Sequence, residues 1–243
     1  MNILLICGHG AGDPGACAFN YQEATLVREI APKLKNILSK YANVSVFDTS
    51  KNMYKYLKAG NTFNFKKYDY VFEIHFNAAA QDFKGNGKTT GTEIHVHTSE
   101  KGTTVETAIV NNIAALGFKN RGVKTRSDLQ NMNVCKKRQG VSYALIETCF
   151  IDDLDDIKLY MSKKDAVITA IANGIISGFG LGKKTKEEKT QTIQELTTPN
   201  DIVWELSQRI EITNVPKAVS DLTKAMNENS SCYWMLKKIA NKR

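Results

Sequence analysis

Cysteine is scarce in this sequence, and the spacing of the few cysteines excludes two kinds of scaffold. The 243 residues contain five cysteines, at positions 7, 17, 135, 149 and 232, with no Cys-x-x-Cys pair among them. An odd number without paired spacing argues against a disulfide framework and against a structural zinc knot. We therefore expect most of these cysteines to be small core residues of a protein in a reducing compartment.

Long apolar segments are also missing. No apolar run approaches the roughly 20 residues that a helix needs to cross a bilayer, so the sequence predicts no membrane span. The chain begins Met1-Asn2 and passes directly into the apolar run 3–6 without a basic region, which is not the pattern of a signal peptide. The sequence thus predicts a protein that is made in the cytoplasm and acts outside it only after release.

Two signatures of nucleotide and nucleic-acid binding are absent. The formal net charge of +8 favours an anionic partner, but no dense block of Lys and Arg marks a nucleic-acid-binding arm, and we expect no nucleic-acid partner. The glycines at 8, 10, 12 and 15 do not match Gly-x-Gly-x-x-Gly, and no Gly-Lys-[Ser/Thr] follows them. They indicate instead a loop that wraps closely around a site.

Short apolar runs alternate with helical patterns along the first three quarters of the chain. Strands are predicted at 3–7, 44–47, 70–76, 92–97 and 142–146, and helices at 21–41, 103–116, 153–162 and 164–179. We expect Pro32 to kink or divide the first helix. The alternation predicts an α/β fold, with a doubly wound, mostly parallel sheet and helices on both faces.

A composition change near Gly182 divides the chain. Residues 1–182 form the predicted α/β domain, and the charged stretch 183–199 is predicted to be a linker. Residues 200–243 are predicted to form three short helices, a small all-α module close to the lower size limit of an independent core. Trp204, Tyr233 and Trp234 supply much of the apolar area that this module could bury.

Four polar side chains are predicted to gather at one edge of the sheet. His9 follows the first strand, His75 lies at the end of the third, and Glu147 follows the apolar run 144–146. Glu23 lies in the opening turn of the helix that follows the first loop. Because ligands of open parallel sheets bind beyond the carboxyl ends of the strands, we expect these four groups to meet there.

This set suits one catalytic zinc ion, which takes three protein ligands and keeps a fourth position for water. His9, Glu23 and His75 are the predicted ligands, because two histidines and a carboxylate are a common zinc set. Glu147 is the predicted acid/base, which takes a proton from the water and returns it to the leaving amine.

A second histidine pair offers an alternative metal site. His95 and His97 lie two residues apart on a predicted strand, so both face the same side of the sheet. Together with His75 they could form a three-histidine site. Spacing alone leaves this alternative open.

Five pieces of the sequence, in order and spacing, resemble a known family. "GHGAGDPGA", Glu23, "IHFNAA", "RGVK" and "LIETCF" are similar to the zinc-dependent N-acetylmuramoyl-L-alanine amidases of the α/β autolysin and phage endolysin type. The resemblance covers about residues 2–180. It implies a doubly wound fold, one Zn²⁺ ion, and hydrolysis of the amide that joins the lactyl group of N-acetylmuramic acid to L-alanine in peptidoglycan.

The resemblance also assigns roles to residues. It implies His9, Glu23 and His75 as zinc ligands and Glu147 as the catalytic acid/base. By the same resemblance, the substrate-binding residues are Asn77, Arg121 and Lys124. The sequence departs from the family pattern in three places: Cys149 replaces a usual glycine, an aspartate at about Asp152 replaces a usual asparagine, and "FDTSKN" replaces a usual Thr-Arg.

The biological setting follows from the resemblance and from the missing export signal. We expect a phage or prophage endolysin that is made in the bacterial cytoplasm and acts on the peptidoglycan of a Gram-positive bacterium. Trp204, Tyr233 and Trp234 would then bind the cell wall. The alternatives are a non-catalytic wall-binding protein on an amidase scaffold and a different zinc amidohydrolase that uses His95 and His97.

Overall fold

The computed structural model describes residues 1–182 and 215–228. The chain divides into two compact units, Met1–Lys183 and Lys184–Arg243. The first unit contains one six-stranded sheet with helices around it, and a separate two-stranded hairpin. No helix in the described part of the chain has the length and apolar character needed to cross a membrane.

The elements of the first unit follow in chain order. They are β1 (Asn2–Cys7), β2 (Cys17–Ala18), β3 (Tyr21–Gln22), α1 (Glu23–Leu38), β4 (Asn43–Val46), α2 (Met53–Lys58), β5 (Tyr70–Asn77), β6 (Thr92–His97), α3 (Thr104–Ala114), β7 (Asn120–Arg126), α4 (Gln130–Met132, which continues as a π-helical segment Asn133–Arg138), β8 (Ser142–Phe150) and α5 (Leu154–Gly178).

The sheet is mostly parallel, as the sequence predicts. Its strand order is β4-β1-β5-β8-β6-β7. The first four strands in this order are parallel to one another, whereas β6 runs antiparallel to β8 and parallel to β7. The carboxyl ends of β1, β5 and β8 therefore meet at one edge, where the predicted site residues lie.

Helices cover both faces of the sheet, but unequally. Alternate residues of β1 enter different cores: Ile3 and Leu5 pack in the larger core with α1, α3 and α5, and Leu4 and Ile6 pack in a smaller core. The smaller core is closed by α2 and the segment 130–138. Because these covering elements are short, polar side chains of β5, β8 and β6 find room on that face.

The short helical elements α2 and 130–138 were not predicted, and the predicted helices differ from the structure in two respects. Pro32 was expected to kink or divide α1, but α1 is continuous from Glu23 to Leu38. Pro32 lies on the exposed side of α1, where water can hydrogen-bond the carbonyl that proline leaves unpaired. The helices predicted at 153–162 and 164–179 form one element, α5, with non-helical backbone at Lys163 (φ −129°, ψ 21°) between them.

One helix of the second unit is described, α6 (Val215–Asn227), where the second of the three short helices is predicted. Among the side chains of α6 that the structure describes, Leu222 is buried. The predicted linker 183–199 and the other two predicted helices lie outside the described residues. So do Trp204, Tyr233 and Trp234, and their proposed role stays a prediction.

Candidate metal and catalytic site

The loop after β1 closes around the site because glycine occupies its tight positions. A Cβ atom on Gly8 would lie 2.5 Å from Nε2 of His75, and one on Gly15 would lie 2.6 Å from Oε2 of Glu23. Both distances are too short for any side chain. His9 itself has a positive φ of 56°, a conformation that costs energy for a non-glycine residue and is typical of functional loops.

His9, Glu23 and His75 meet at the predicted edge. Nε2 of His9 lies 3.1 Å from Oε2 of Glu23, and Nδ1 of His75 lies 2.8 Å from Oε1. One ligand atom from each residue can be chosen so that all three lie within 4.8 Å of one another. Tetrahedral ligands at about 2.0–2.1 Å from zinc stand about 3.3 Å apart, so the donor set fits a zinc ion.

Glu23 is held rigidly at the start of α1. Its side chain is buried, and its two oxygens accept hydrogen bonds from the backbone N–H groups of Ala16 and Phe76, both at 3.0 Å. Burial alone would raise the pKa of Glu23, but hydrogen bonds from His75 and His9 hold it well below its usual value. Glu23 is therefore ionised, as a metal ligand must be.

Glu147 lies beside this group, on the strand next to His75. It pairs in register with His75 of β5 and with Glu93 of β6. Its Oε2 is buried and has no hydrogen-bond partner among the residues that the structure describes. Burial raises the pKa of Glu147 to about 7, opposed by the positive charge of His75. A carboxyl group with this pKa can both accept and donate a proton near neutral pH.

The three residues predicted to bind substrate converge on one carboxylate. Asn77 Nδ2 donates to Oε1 of Glu93 at 3.2 Å, and Arg121 Nε donates to Oε2 at 2.6 Å. The ammonium group of Lys124 also contacts Oε2. The sequence reasoning did not single out Glu93, although a glutamate inside the otherwise apolar and histidine-containing strand "TEIHVH" was a visible signal.

Residues 3–177 match the family model described as N-acetylmuramoyl-L-alanine amidase. The chain belongs to this amidase family. It is 29% identical over 209 residues to the probable autolysin PH of Staphylococcus aureus, which covers 78% of this chain and 42% of the relative. It is 31% identical over 193 residues to the N-acetylmuramoyl-L-alanine amidase CwlM of Bacillus licheniformis, and this match covers 75% of this chain and 70% of the relative. This chain thus spans less than half of the staphylococcal relative.

Solved structures agree with the family assignment. A putative N-acetylmuramoyl-L-alanine amidase from Neisseria meningitidis superposes with a TM-score of 0.58 at 26% identity, covering 75% of this chain and 98% of that one. The catalytic domain of the CD27L endolysin, which targets Clostridia difficile, has the same fold, with a TM-score of 0.57 at 23% identity. The superposition covers 73% of this chain and 97% of that one.

The aspartate that departs from the family pattern shapes a loop of the amidase fold. Asp152 accepts hydrogen bonds from the backbone N–H groups of Ala79, Ala80 and Gln81, at 2.8, 3.1 and 2.9 Å. Ala79 and Gln81 both have positive φ. Asp152 thus fixes the chain that leaves β5 directly after Asn77. Cys149, another departure from the family pattern, lies on β8 and is fully buried in the larger core.

The alternative histidine site is not assembled in this amidase fold. His95 bonds Glu93 through Nε2 at 3.2 Å, and His97 bonds the Ser99 hydroxyl through Nδ1 at 2.7 Å. Neither residue belongs to a group of three potential ligands within the described ranges 1–182 and 215–228. The geometry therefore favours His9, Glu23 and His75 over the three-histidine set.

Proposed function

We propose that this chain is a zinc-dependent N-acetylmuramoyl-L-alanine amidase that hydrolyses the bond between the lactyl group of N-acetylmuramic acid and L-alanine. The observation that carries the proposal is the group of His9, Glu23 and His75 beside a partly buried carboxyl group, Glu147, whose pKa is raised to about 7. Membership of the amidase family supports the same reaction.

The donor set specifies what a bound metal would contribute. Two imidazoles and one carboxylate leave a net positive charge on a zinc ion, which then polarises an amide carbonyl and lowers the pKa of water to about 7. The chain supplies the ligands in fixed positions: Glu23 by two backbone N–H groups, and His75 by the neighbouring strand.

Glu147 performs the proton transfers. Its Oε2, which has no hydrogen-bond partner among the described residues, takes a proton from the attacking water and later delivers it to the nitrogen of the departing L-alanine. Because partial burial disfavours the charged form of Glu147 and raises its pKa to about 7, its protonated and ionised forms are close in energy at neutral pH. Asn77, Arg121 and Lys124 then border the substrate from the side of Glu93.

The proposed setting is lysis of a Gram-positive cell wall by a phage or prophage endolysin, with the C-terminal module as the wall-binding part. Relatives from Staphylococcus aureus and Bacillus licheniformis, together with the similarity of fold to a clostridial endolysin domain, support this setting. The aromatic residues proposed to bind the wall are Trp204, Tyr233 and Trp234.

The decisive experiment measures which bond is cut in purified peptidoglycan. An amidase releases new N-terminal alanine without new reducing sugar ends. We expect this product with the zinc-loaded protein, its loss after chelation and its return with added zinc. Reducing ends without N-terminal alanine would contradict the amidase assignment, and equal activity in the chelated protein would contradict the metal.

Three variants separate the alternatives. Glu147→Gln should keep zinc and lose hydrolysis by about 10²–10⁴-fold. His9→Ala should lose zinc, whereas His97→Ala should keep zinc and activity. Loss of zinc from His97→Ala alone would favour the other amidohydrolase, and binding of walls without any cleavage would favour the non-catalytic protein.

A further inference from the structure

A second carboxylate, Glu73, contacts the histidine of the proposed metal site. Glu73 lies on β5 two residues before His75, so both side chains stand on the same face of the sheet. Its side chain is buried. Oε1 of Glu73 lies 3.1 Å from Nε2 of His75, on the opposite side of the ring from the nitrogen that faces Glu23.

Three neighbours hold this carboxylate in place. The Asn131 amide nitrogen donates to both oxygens at 3.0 Å, and the hydroxyl group of Tyr143 donates to Oε2. Asn131 comes from α4 and Tyr143 from β8, so two separate elements fix the position of Glu73. A buried carboxylate is costly unless such donors satisfy it, and here Asn131, Tyr143 and His75 do so.

The contacts select one form of the His75 ring. A neutral imidazole carries a proton on one nitrogen and a lone pair on the other. Without metal, both ring nitrogens face carboxylates; when a metal replaces the proton between Nδ1 and Glu23, Glu73 still accepts from Nε2–H, so the lone pair of Nδ1 faces the metal position. Gly8 packs against the ring so closely that a Cβ atom there would clash with Nε2, which opposes rotation of the ring.

His9 shows the same arrangement. Its Nδ1 lies 3.1 Å from Oδ2 of Asp13, and its Nε2 faces Glu23. Asn52 donates to the same oxygen of Asp13 at 3.1 Å. Each histidine therefore has a carboxylate, itself fixed by an asparagine, on the nitrogen away from Glu23. Metal-binding histidines are commonly oriented in this way.

We propose that Glu73 is a positioning residue that presents Nδ1 of His75 to the metal. The inference rests on the proposed function, because it requires that His75 bind zinc. Glu73 acts through His75 and makes no contact with substrate. Its loss should weaken metal binding because His75 then samples other rotamers and the wrong tautomer.

The test is zinc affinity of the full chain, measured by competition with a chromophoric chelator. We expect Glu73→Ala to weaken zinc binding by about 10–100-fold. Glu73→Gln should weaken it less, because the amide oxygen can still accept a hydrogen bond from Nε2. The matched control is Glu106→Gln: Glu106 is also buried and bonded by a tyrosine, Tyr70 at 2.8 Å, and should keep wild-type affinity.

A spectroscopic measurement tests the geometry directly. The chain has four histidines, so ¹⁵N-histidine NMR of the zinc-loaded protein can assign each ring. We expect His75 to show a protonated Nε2 and a metal-bound Nδ1. A metal-bound Nε2, or wild-type affinity in Glu73→Ala, would overturn the role of Glu73 and leave the amidase proposal standing. A wild-type protein that binds no zinc would overturn both.

Discussion

Single residues carry opposing demands in this molecule, and Glu147 is the clearest case. Its Oε2 is buried without a hydrogen-bond partner in the part of the chain that the structure describes, an arrangement that costs stability. The same burial raises its pKa to about 7 and makes it useful as an acid and a base. We infer that burial of this carboxyl group lowers the free energy of unfolding but gives it a pKa suited to proton transfer, a combination that is common in active sites.

Because the pKa of Glu147 is raised, we expect the free energies of unfolding of metal-free wild type and metal-free Glu147→Gln to differ by an amount that depends on pH. Below a pH of about 4.5, the usual pKa of a glutamate, Glu147 is protonated in the folded and unfolded states. Between about 4.5 and 7 only the unfolded state loses the proton, so wild-type stability falls as pH rises. Glutamine does not titrate. The variant should therefore gain up to about 3 kcal/mol relative to wild type by pH 8.

Urea unfolding in the presence of a chelator, at pH 4.5 and pH 8, measures this difference. The comparison between the two pH values cancels any constant effect of the glutamine side chain. If the free energies of unfolding of wild type and Glu147→Gln differ by the same amount at both pH values, Glu147 has an ordinary pKa.

The residue scale also shows where sequence reasoning was sufficient. His9, Glu23, His75 and Glu147 were predicted to meet because each follows a strand end or opens a helix, and they do meet. Glu93 was not predicted, because its importance lies in contacts with β7 and β5 that are 16 to 31 residues distant in sequence. A glutamate inside the strand "TEIHVH" signals an unusual position, but the local sequence does not identify the partners that Glu93 contacts.

At the scale of elements, the loop after β1 holds His75 in place because Gly8 leaves room for its ring. Gly8→Ala places a Cβ atom against the ring of His75, so His75 must move and zinc affinity should fall at least 10-fold. Overpacking should also cost about 1–3 kcal/mol of folding free energy. Gly102→Ala is the control, because a Cβ atom there meets nothing within 4 Å. Equal zinc affinity for both variants would show that the loop tolerates the displacement.

The contact between α3 and α5 depends on glycine in a different way. A Cβ atom on Gly174 would lie 2.7 Å from the backbone of Ile109, and one on Gly178 would lie 2.6 Å from the Cα of Val105. Both glycines lie within the helix predicted at 164–179, and the structure places them in α5 where it touches α3.

Gly174→Ala should therefore separate α3 from α5 and lower the free energy of unfolding by about 1–3 kcal/mol, with zinc affinity unchanged. His75 and Glu147 project from the opposite face of the sheet, with Val71 and Leu145 of the smaller core, so we expect the damage to stay in the larger core. Thermal unfolding, with the exposed neighbour Asn173→Ala as control, measures the effect. A Gly174→Ala protein as stable as wild type would indicate that the helices can shift at no cost.

Elements buried on both sides were easier to predict than exposed ones. The strand 92–97 was predicted with its observed bounds because every residue in it is buried. β7 was missed, since "NRGVKTR" is a partly exposed edge strand whose charged residues resemble a loop. α1 was predicted, but the effect of Pro32 was not, because whether a proline breaks a helix depends on which side faces water.

At the scale of the whole molecule, the two units allow catalysis and wall binding to be tested apart. The first unit holds the complete site and both apolar cores of the sheet, so a chain ending at Lys183 should fold and cleave a small soluble muropeptide at the full rate. On intact cell walls it should be slower, because it lacks the module that we propose to hold the enzyme at its polymer.

Sedimentation with purified walls distinguishes binding through the C-terminal module from electrostatic binding through the positive charge of the chain. The full chain has a formal charge of +8, so part of its wall binding should decline with added salt. Binding through Trp204, Tyr233 and Trp234 should persist in high salt and disappear in the truncated chain. If the truncated chain sediments as well as the full chain at every salt concentration, the C-terminal module is not the wall-binding part, and the affinity belongs to the catalytic unit itself.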